Sequence, residues 1–122
     1  MTRKILILDD EDQYIVSLRD FLHEFNYNIC VAMSSDQALD VIKKDKPDLV
    51  LFDYKLSDMD GEHFFKKAKE ISPDTLYILI TAWNDPPTLD RFKKMGVNDI
   101  ILKPINLEKL LKDIKTMLKN GD

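Results

Sequence analysis

The chain has few of the features that mark membrane, secreted or nucleic-acid-binding proteins. Its apolar runs cover only about five residues, whereas a membrane-spanning helix needs about 20, and the MTRKILILDD start is too short in apolar residues for a signal peptide. Its one cysteine, Cys30, has no disulfide partner, so we expect a buried core thiol in a reducing, cytoplasmic compartment. The net charge of −4 argues against nucleic-acid binding by this domain, because such binding usually needs a basic surface.

What the sequence does have is the composition of one ordinary globular domain. A chain of 122 residues is long enough to form a proper hydrophobic core and too short for two domains. Its residues are 44% apolar and 33% charged, which is ordinary for a globular protein. No linker, repeat or low-complexity segment interrupts the chain, so we predict a single domain over residues 1–122. No DNA-binding or enzymatic output segment is recognisable, and we expect any such segment of a longer protein to follow Asp122.

Short apolar runs alternate with amphipathic ones from end to end. The short runs are near-continuous in Ile, Leu and Val, which is typical of strands buried on both faces of a parallel sheet. The predicted strands are KILIL (4–8), NICVA (28–32), DLVLF (48–52), LYILI (76–80) and DIIL (99–102).

Five helices are predicted between and after these strands, from apolar residues spaced three and four apart. Helix starts are marked by the Ser34…Gln37 capping-box spacing, by Pro86-Pro87 and by Asn106. The apolar positions are Ile15, Leu18, Leu22 and Phe25; Leu39 and Ile42; Phe64, Phe65, Ala68 and Ile71; Leu89 and Phe92; and Leu107, Leu110, Leu111, Ile114 and Leu118. The resulting βαβαβαβαβα order is that of an open, doubly wound α/β sheet with helices on both faces.

Polar and charged residues come directly after four of the five predicted strands. Right-handed crossovers place the carboxyl ends of all parallel strands at one edge of the sheet, where ligands bind in this class of fold. We therefore expect these side chains to converge on one crevice. They are Asp9-Asp10, Asp53, Thr81-Ala82 and Lys103-Pro104.

The residue types at these strand ends favour metal-assisted phosphoryl chemistry. Three clustered carboxylates repel one another and call for a divalent cation, and oxygen-only ligands suit Mg²⁺, with Mn²⁺ as a substitute. A lysine and a threonine hydroxyl across the same crevice suit the oxygens of a phosphoryl group. A metal, a carboxylate nucleophile and a lysine together are the components needed to form an aspartyl phosphate.

The same residues, over essentially the whole chain, resemble the receiver domains of two-component response regulators. The resemblance implies a flavodoxin-like fold, with five parallel strands in the order 2-1-3-4-5 and five helices. It implies that Asp53 is the phosphoacceptor. Asp10, Asp53 and the backbone carbonyl of Lys55 would bind Mg²⁺ directly, and Asp9 would act through bound water.

The resemblance also implies how the phosphoryl group is held and sensed. Lys103 would pair with the phosphoryl group, and the Lys103–Pro104 bond would be cis. Thr81, followed by Ala82, would move to hydrogen-bond the phosphate and carry the fourth helix with it. That shift between two states would be the output of the domain.

Four positions near the expected site depart from the family pattern or modulate it. Ile100 stands where an aromatic switch residue is usual, so we expect the aromatic part of the switch to be absent or replaced. Ser57 replaces the usual proline, although the DMDG stretch should still form the turn. Lys55 and Trp83 flank the entrance to the site, where they would slow hydrolysis of the acyl phosphate.

The resemblance implies partners on two surfaces. A histidine kinase or a histidine phosphotransfer protein would donate the phosphoryl group, and Tyr14 is a candidate contact for it. An output domain, a partner protein or a second copy of the chain would bind the face formed by the fourth helix, fifth strand and fifth helix. Candidate contacts there are Leu89, Ile100 and Met117.

Two other functional classes stay open at this point. One is a receiver-like scaffold that binds partners without phosphorylation, although such a scaffold has no need of the intact acids, Thr81 and Lys103. The other is a Mg²⁺-dependent phosphohydrolase with an aspartyl intermediate, whose Asp-x-Asp motif would be Asp10-Glu11-Asp12. That class places its nucleophile after the first strand and would leave Asp53 unexplained.

Overall fold

The computed structural model describes residues 2–9, 12–56, 58–82 and 84–118, without the side chains of residues 12–15. Strands and helices alternate throughout, as the apolar pattern predicts. The elements are β1 (Lys4–Leu8), α1 (Asp12–His23), β2 (Asn28–Ala32), α2 (Ser35–Asp45), β3 (Leu49–Asp53), α3 (Gly61–Ile71), β4 (Leu76–Thr81), α4 (Pro86–Met95), β5 (Asp99–Leu102) and α5 (Leu107–Leu118).

The five strands form one parallel sheet in the order β2-β1-β3-β4-β5, which confirms the predicted flavodoxin-like topology. Ile5 of β1 lies opposite Ile29 of β2 on one side and Leu49 of β3 on the other. Because neighbouring residues of a strand face opposite sides of the sheet, each central strand supplies two cores. This is why the central strands read as continuous apolar runs rather than as alternating ones.

The two cores lie on opposite faces of the sheet. Ile5 and Ile7 pack with residues of α1 and α5, whereas Leu6 and Leu8 pack with residues of α2, α3 and α4. The second core is rich in aromatic rings around Phe52, the residue before Asp53. The ring of Phe52 stacks on Phe65 at a centroid distance of 5.7 Å and contacts Phe64 at 5.5 Å. These ring contacts fix the strand that carries Asp53 against α3.

The predicted helix starts are confirmed by side-chain caps. The Ser34 hydroxyl accepts a hydrogen bond from the Gln37 amide at 3.1 Å, and the Asn106 side chain accepts one from the Lys109 amide at 3.1 Å. Such caps satisfy amides that have no partner within the helix. Pro86 opens α4, where a missing amide proton costs nothing.

Helix α1 ends earlier than its apolar spacing predicts. Phe25, assigned to its apolar stripe, lies two residues beyond the end of the helix at His23 and is 37% exposed. The turn is tightened by a hydrogen bond from the Asn26 amide to the His23 carbonyl at 3.1 Å, and Asn26 takes a left-handed conformation with φ of 70°. Asparagine tolerates this conformation better than most residues, so the helix stops there.

The prediction that Cys30 is buried is wrong. Its strand, β2, lies at one edge of the sheet, where β1 is its partner among the described strands, and the cysteine side chain is exposed. An apolar run cannot distinguish an edge strand from a central one, because strand order is a tertiary property. Strand bounds also differ slightly, since Asp53 and Thr81 are the last residues of β3 and β4 rather than the residues that follow them.

Within the part of the chain that the structure describes, no helix combines the length and apolar character needed to cross a bilayer.

Two neighbouring acids, Asp99 of β5 and Asp113 of α5, give a first prediction. Burial raises the pKa of Asp99 above its ordinary 3.8, and the nearby Asp113 raises it further. A hydrogen bond from the Ile100 amide and the charge of Lys109 lower the pKa, but they do not cancel the rise. A raised folded-state pKa gives stability that is present below pH 3.8 and lost as pH rises through that pKa. Asparagine does not ionise, so Asp99→Asn should not lose this stability. The free energy of unfolding of Asp99→Asn, relative to that of the parent, should therefore increase between about pH 3.5 and pH 7.

Urea unfolding of both proteins at the two pH values measures this change. Asp74, an exposed acid just before β4, offers a matched Asp74→Asn control that should show a smaller pH-dependent difference. An equal stability difference between Asp99→Asn and the parent at both pH values would contradict the prediction.

Candidate functional site

The structure brings four of the predicted residues to the carboxyl edge of the sheet. Asp9 directly follows β1, Asp53 ends β3, Thr81 ends β4 and Lys103 directly follows β5. Both carboxyl residues are largely buried, with 6% of Asp9 and 8% of Asp53 exposed, and Thr81 is fully buried. Charged groups are rarely buried unless they are paired, so this edge is built around an electrostatic interaction.

Lys103 supplies that interaction. Its ammonium donates to Asp53 Oδ2 at 2.7 Å and lies 3.5 Å from Asp9 Oδ2. The Lys103 amide also donates to the Thr81 carbonyl at 2.9 Å, which ties the chain after β5 to the end of β4. The Lys103–Pro104 peptide bond is cis, as predicted. One cation thus connects the ends of three strands.

The donor set fits a hard divalent cation. Asp9 and Asp53 place two buried carboxylates against a single ammonium, so this group carries a net negative charge. Carboxylate oxygens are the ligands that Mg²⁺ prefers, usually one or two of them together with water and phosphate oxygens. Among the residues described, no three His, Cys, Asp or Glu side chains gather as a metal site. Asp10, the predicted third acid, lies outside the described residues.

The loop after β3 leads from Asp53 directly into α3. The Lys55 amide donates to Asp53 Oδ1 at 3.4 Å, and Lys55 forms an antiparallel bridge with Asp60. At the base of the loop the Gly61 amide donates to the Tyr54 carbonyl at 2.6 Å. The turn therefore forms as expected, while Ser57 itself lies outside the described residues. The backbone of Lys55, predicted as a metal ligand, is held next to Asp53 by these bonds.

Gly61 has a structural role that the sequence alone did not reveal. A Cβ atom built at this position would lie 2.7 Å from the Asp53 carbonyl oxygen and 2.8 Å from Tyr54 Cα. Real Cβ atoms do not approach backbone atoms so closely, so only glycine allows α3 to begin against the end of β3. From sequence, Gly61 could be assigned only to a turn.

The residues around the predicted site that would modulate it, including Ala82 and Pro104 next to Thr81 and Lys103, fall into two groups. The Lys55 and Ala82 side chains and Pro104 are exposed around the edge of the sheet. Ile100 is half-buried and packs against the aromatic core on the face of α2, α3 and α4. Trp83 lies outside the described residues.

Two polar contacts near the site escaped sequence reasoning. Glu62 at the start of α3 accepts a hydrogen bond from Arg91 Nε of α4 at 3.1 Å, which links the two helices. Asp58, in the loop after β3, accepts hydrogen bonds from the first two amides of α2. Burial of the Asp58 carboxyl raises its pKa, but the hydrogen bonds from the start of α2 outweigh this effect and hold the pKa below its ordinary 3.8. Neither pair lies close in sequence, so no local pattern could have indicated the contact.

The fold and the site together define a doubly wound α/β domain with a lysine-paired acidic site at the carboxyl edge of its sheet. Comparisons with known proteins identify the family. Residues 5–115 match the family described as the response regulator receiver domain. The chain is 31% identical over 118 residues to sporulation initiation phosphotransferase F of Bacillus subtilis, covering 97% of this chain and 95% of that protein. It is also 31% identical over 106 residues to the transcriptional regulatory protein ZraR of Escherichia coli K12, covering 87% of this chain but only 24% of that protein.

Solved structures give the same result at the level of the fold. A receiver domain protein from Methanospirillum hungatei superposes with a TM-score of 0.93 at 29% identity, covering 98% of this chain and 96% of that one. A two-component response regulator from Clostridium difficile superposes with a TM-score of 0.94 at 29% identity, covering 99% of both chains.

The chain belongs to the response regulator receiver domain family. It is a signalling domain of two-component, phosphorelay signal transduction.

Proposed function

We propose that this domain accepts a phosphoryl group on Asp53 and changes conformation in response. The observation that carries the proposal is the 2.7 Å contact between Asp53 Oδ2 and Lys103 Nζ, with Asp9 Oδ2 3.5 Å from the same ammonium. A buried carboxylate can act as the nucleophile and become an acyl phosphate. The negative charge of the attached phosphoryl group would then be balanced by the ammonium that is already beside it. We infer that the unit comprises residues 1–122 and works in the cytoplasm.

The proposed transfer is a simple displacement. A carboxylate oxygen of Asp53 attacks the phosphorus atom of a phosphohistidine in a kinase or phosphotransfer protein. The new O–P bond forms as the P–N bond breaks, and the electron pair of the P–N bond returns to the imidazole nitrogen. Lys103 binds the oxygens of the transferred group and offsets their charge.

Mg²⁺ is the cofactor we propose for this site, with Mn²⁺ as a substitute. Asp53, the Lys55 backbone carbonyl and Asp10 would bind it directly, and Asp9 through water. Bound Mg²⁺ would supply additional positive charge for the transferring phosphoryl oxygens. The all-oxygen character of Asp9 and Asp53 and the excess negative charge beside Lys103 support this assignment.

Thr81 is proposed to report the phosphoryl group to the rest of the domain. It is fully buried at the end of β4, and its carbonyl accepts the Lys103 amide. The loop after it leads to α4, whose Phe92 contacts the rings of Phe52 and Tyr54 at 6.2 and 5.8 Å. A shift of Thr81 toward the phosphate would thus be felt by α4 through the connecting loop.

The outgoing signal is proposed to reach partners on the face formed by α4, β5 and α5. Leu89, Ile100 and Met117, the predicted contacts, are each half-buried, so part of each side chain is accessible. Leu102 of β5 is an exposed large apolar residue on the same strand. An output domain, a partner protein or a second copy of the chain would cover such a face.

The phosphodonor is proposed to bind a groove beside Lys103. The groove has a volume of about 570 Å³ and is lined mainly by apolar groups of α1 and of the segment from β5 to α5. Because Lys103 is itself part of its lining, a protein seated there would hold a histidine close to Asp53. Its lining residues include Ser17, Leu18, Pro104, Ile105 and Leu107.

Intact mass spectrometry tests the proposed function. Incubation with Mg²⁺ and acetyl phosphate should add about 80 Da, the mass of HPO₃, to the parent protein. The adduct should be absent from Asp53→Asn and present in the control Asp74→Asn, whose exposed carboxyl lies at the opposite end of the sheet. Release of phosphate from phosphate esters without an adduct would favour a hydrolase instead, and a parent protein that neither gains mass nor turns over would favour a scaffold.

The lifetime of the phosphoryl group gives a second prediction. Lys55 carries an exposed side chain two residues after Asp53, and Trp83 follows Thr81 by two residues. A long cation and a large indole at the entrance would obstruct attack by water, so we expect a phosphoryl lifetime at the longer end for such domains. The double variant Lys55→Ala, Trp83→Ala should release phosphate several-fold faster from the purified phosphoprotein. Equal release rates in the parent and the double variant would contradict this role.

A further inference from the structure

Two different side chains cap the start of α2. Its own Ser34 accepts a hydrogen bond from the Gln37 amide at 3.1 Å. Asp58, 23 residues after Ser35 in the chain, accepts the Ser35 amide on Oδ1 at 3.0 Å and the Asp36 amide on Oδ2 at 3.2 Å. The first amides of a helix have no partner within it and carry the positive end of its dipole, so a carboxylate there is strongly favoured.

Asp58 belongs to the loop that follows the phosphoacceptor strand. The two ends of this loop are joined by the bridge between Lys55 and Asp60 and by the hydrogen bond from the Gly61 amide to the Tyr54 carbonyl. Asp60 in turn caps α3 by accepting the His63 amide at 2.7 Å. Asp58 adds a third attachment, from the loop to α2, which packs beside α3 on the same face of the sheet.

We propose that Asp58 is a positioning residue, which uses the start of α2 to hold the loop that presents the Lys55 carbonyl to Mg²⁺. Both of its carboxylate oxygens are engaged by amides of α2, so it acts on the metal site through the loop and not as a ligand. The inference rests on the proposed function, because it takes the Lys55 carbonyl as a metal ligand.

The effect follows from the cost of ordering a backbone ligand. A carbonyl oxygen binds Mg²⁺ well only if it is already in place, because Mg²⁺ demands nearly ideal octahedral geometry. A loop released at its tip must lose conformational freedom when the ion binds, and that loss weakens binding. Groups that orient metal ligands change metal affinity by about 10- to 100-fold when removed, and we expect Asp58→Ala to weaken Mg²⁺ binding by about tenfold.

The chain offers a matched control for this experiment. Ser34→Ala removes a cap from the same end of α2 but leaves the loop contacts of Asp58 intact. Both variants should therefore reduce the stability of the metal-free protein, whereas only Asp58→Ala should weaken Mg²⁺ binding measured by isothermal titration calorimetry. Asp58→Asn keeps one side-chain oxygen acceptor and should fall between Asp58→Ala and the parent.

Amide hydrogen exchange without Mg²⁺ provides a second readout. Exchange of the loop amides over residues 54–60 should be faster in Asp58→Ala than in the parent and unchanged in Ser34→Ala. Mg²⁺ affinity in Asp58→Ala equal to that of the parent would overturn this inference while leaving the proposed function in place. Failure of the parent itself to bind Mg²⁺ would overturn the proposed metal site, and this inference with it.

Discussion

Replacing Lys103 with methionine is expected to lower the free energy of unfolding by about 2–4 kcal/mol in metal-free buffer, because it leaves buried carboxylates without their cation. Lys103 Nζ lies 2.7 Å from Asp53 Oδ2 and 3.5 Å from Asp9 Oδ2, and methionine keeps most of the side-chain volume but none of the charge. Urea unfolding in the presence of EDTA measures the loss.

The same substitution should slow phosphorylation of Asp53 by acetyl phosphate by about 100-fold or more, the usual effect of removing one fixed charge-stabilising group from a reaction site. Addition of Mg²⁺ should stabilise Lys103→Met more than it stabilises the parent, because the ion no longer competes with the lysine for the carboxylates. Intact mass spectrometry over time gives the phosphorylation rate.

Lys109→Met is the matched control. Lys109 also pairs with an acid, Asp113 at 3.2 Å, but the pair is more exposed and lies along one helix. Exposed pairs of this kind contribute about 0.3–0.5 kcal/mol, so the control should be close to the parent in both assays. A Lys103→Met protein as stable as Lys109→Met without metal would show that Lys103 does not neutralise the buried acids.

Phe52→Ala is expected to cause the largest loss of stability, about 3–5 kcal/mol, because it removes a fully buried ring and leaves a cavity. The ring contacts Phe64, Phe65 and Phe92, which come from the two helices α3 and α4. Removing it loosens the support of both helices and of the adjacent Asp53. Urea unfolding gives the loss of stability, and the phosphorylation rate shows whether the site is disturbed as well.

Phe25→Ala is the control for this substitution. Phe25 is 37% exposed and contacts Phe21 and the Lys115 ammonium at the protein surface. Its loss should cost about 1 kcal/mol or less, as is usual for substitutions away from the core. If Phe52→Ala were no more destabilising than Phe25→Ala, the aromatic cluster would not be the main support of α3 and α4.

Much of this protein was predictable from sequence because its signals are local or follow from topology. The apolar runs predicted every strand to within one residue at either end, and capping residues such as Ser34 and Asn106 marked the starts of their helices. Parallel strands joined by right-handed crossovers must place their carboxyl ends together. The convergence of four side chains at the site could therefore be predicted from sequence; these are Asp9, Asp53, Thr81 and Lys103.

Only the tertiary structure decided the features that depend on strand order and on contacts between distant segments. Cys30 is exposed because β2 lies at the edge of the sheet, a position that its apolar sequence does not indicate. The attachment of Asp58 to α2 and the close approach of Gly61 to Asp53 join segments whose distance is set by helix packing. The sequence by itself thus determined which residues meet at the site, and the folded chain determined how firmly each is held.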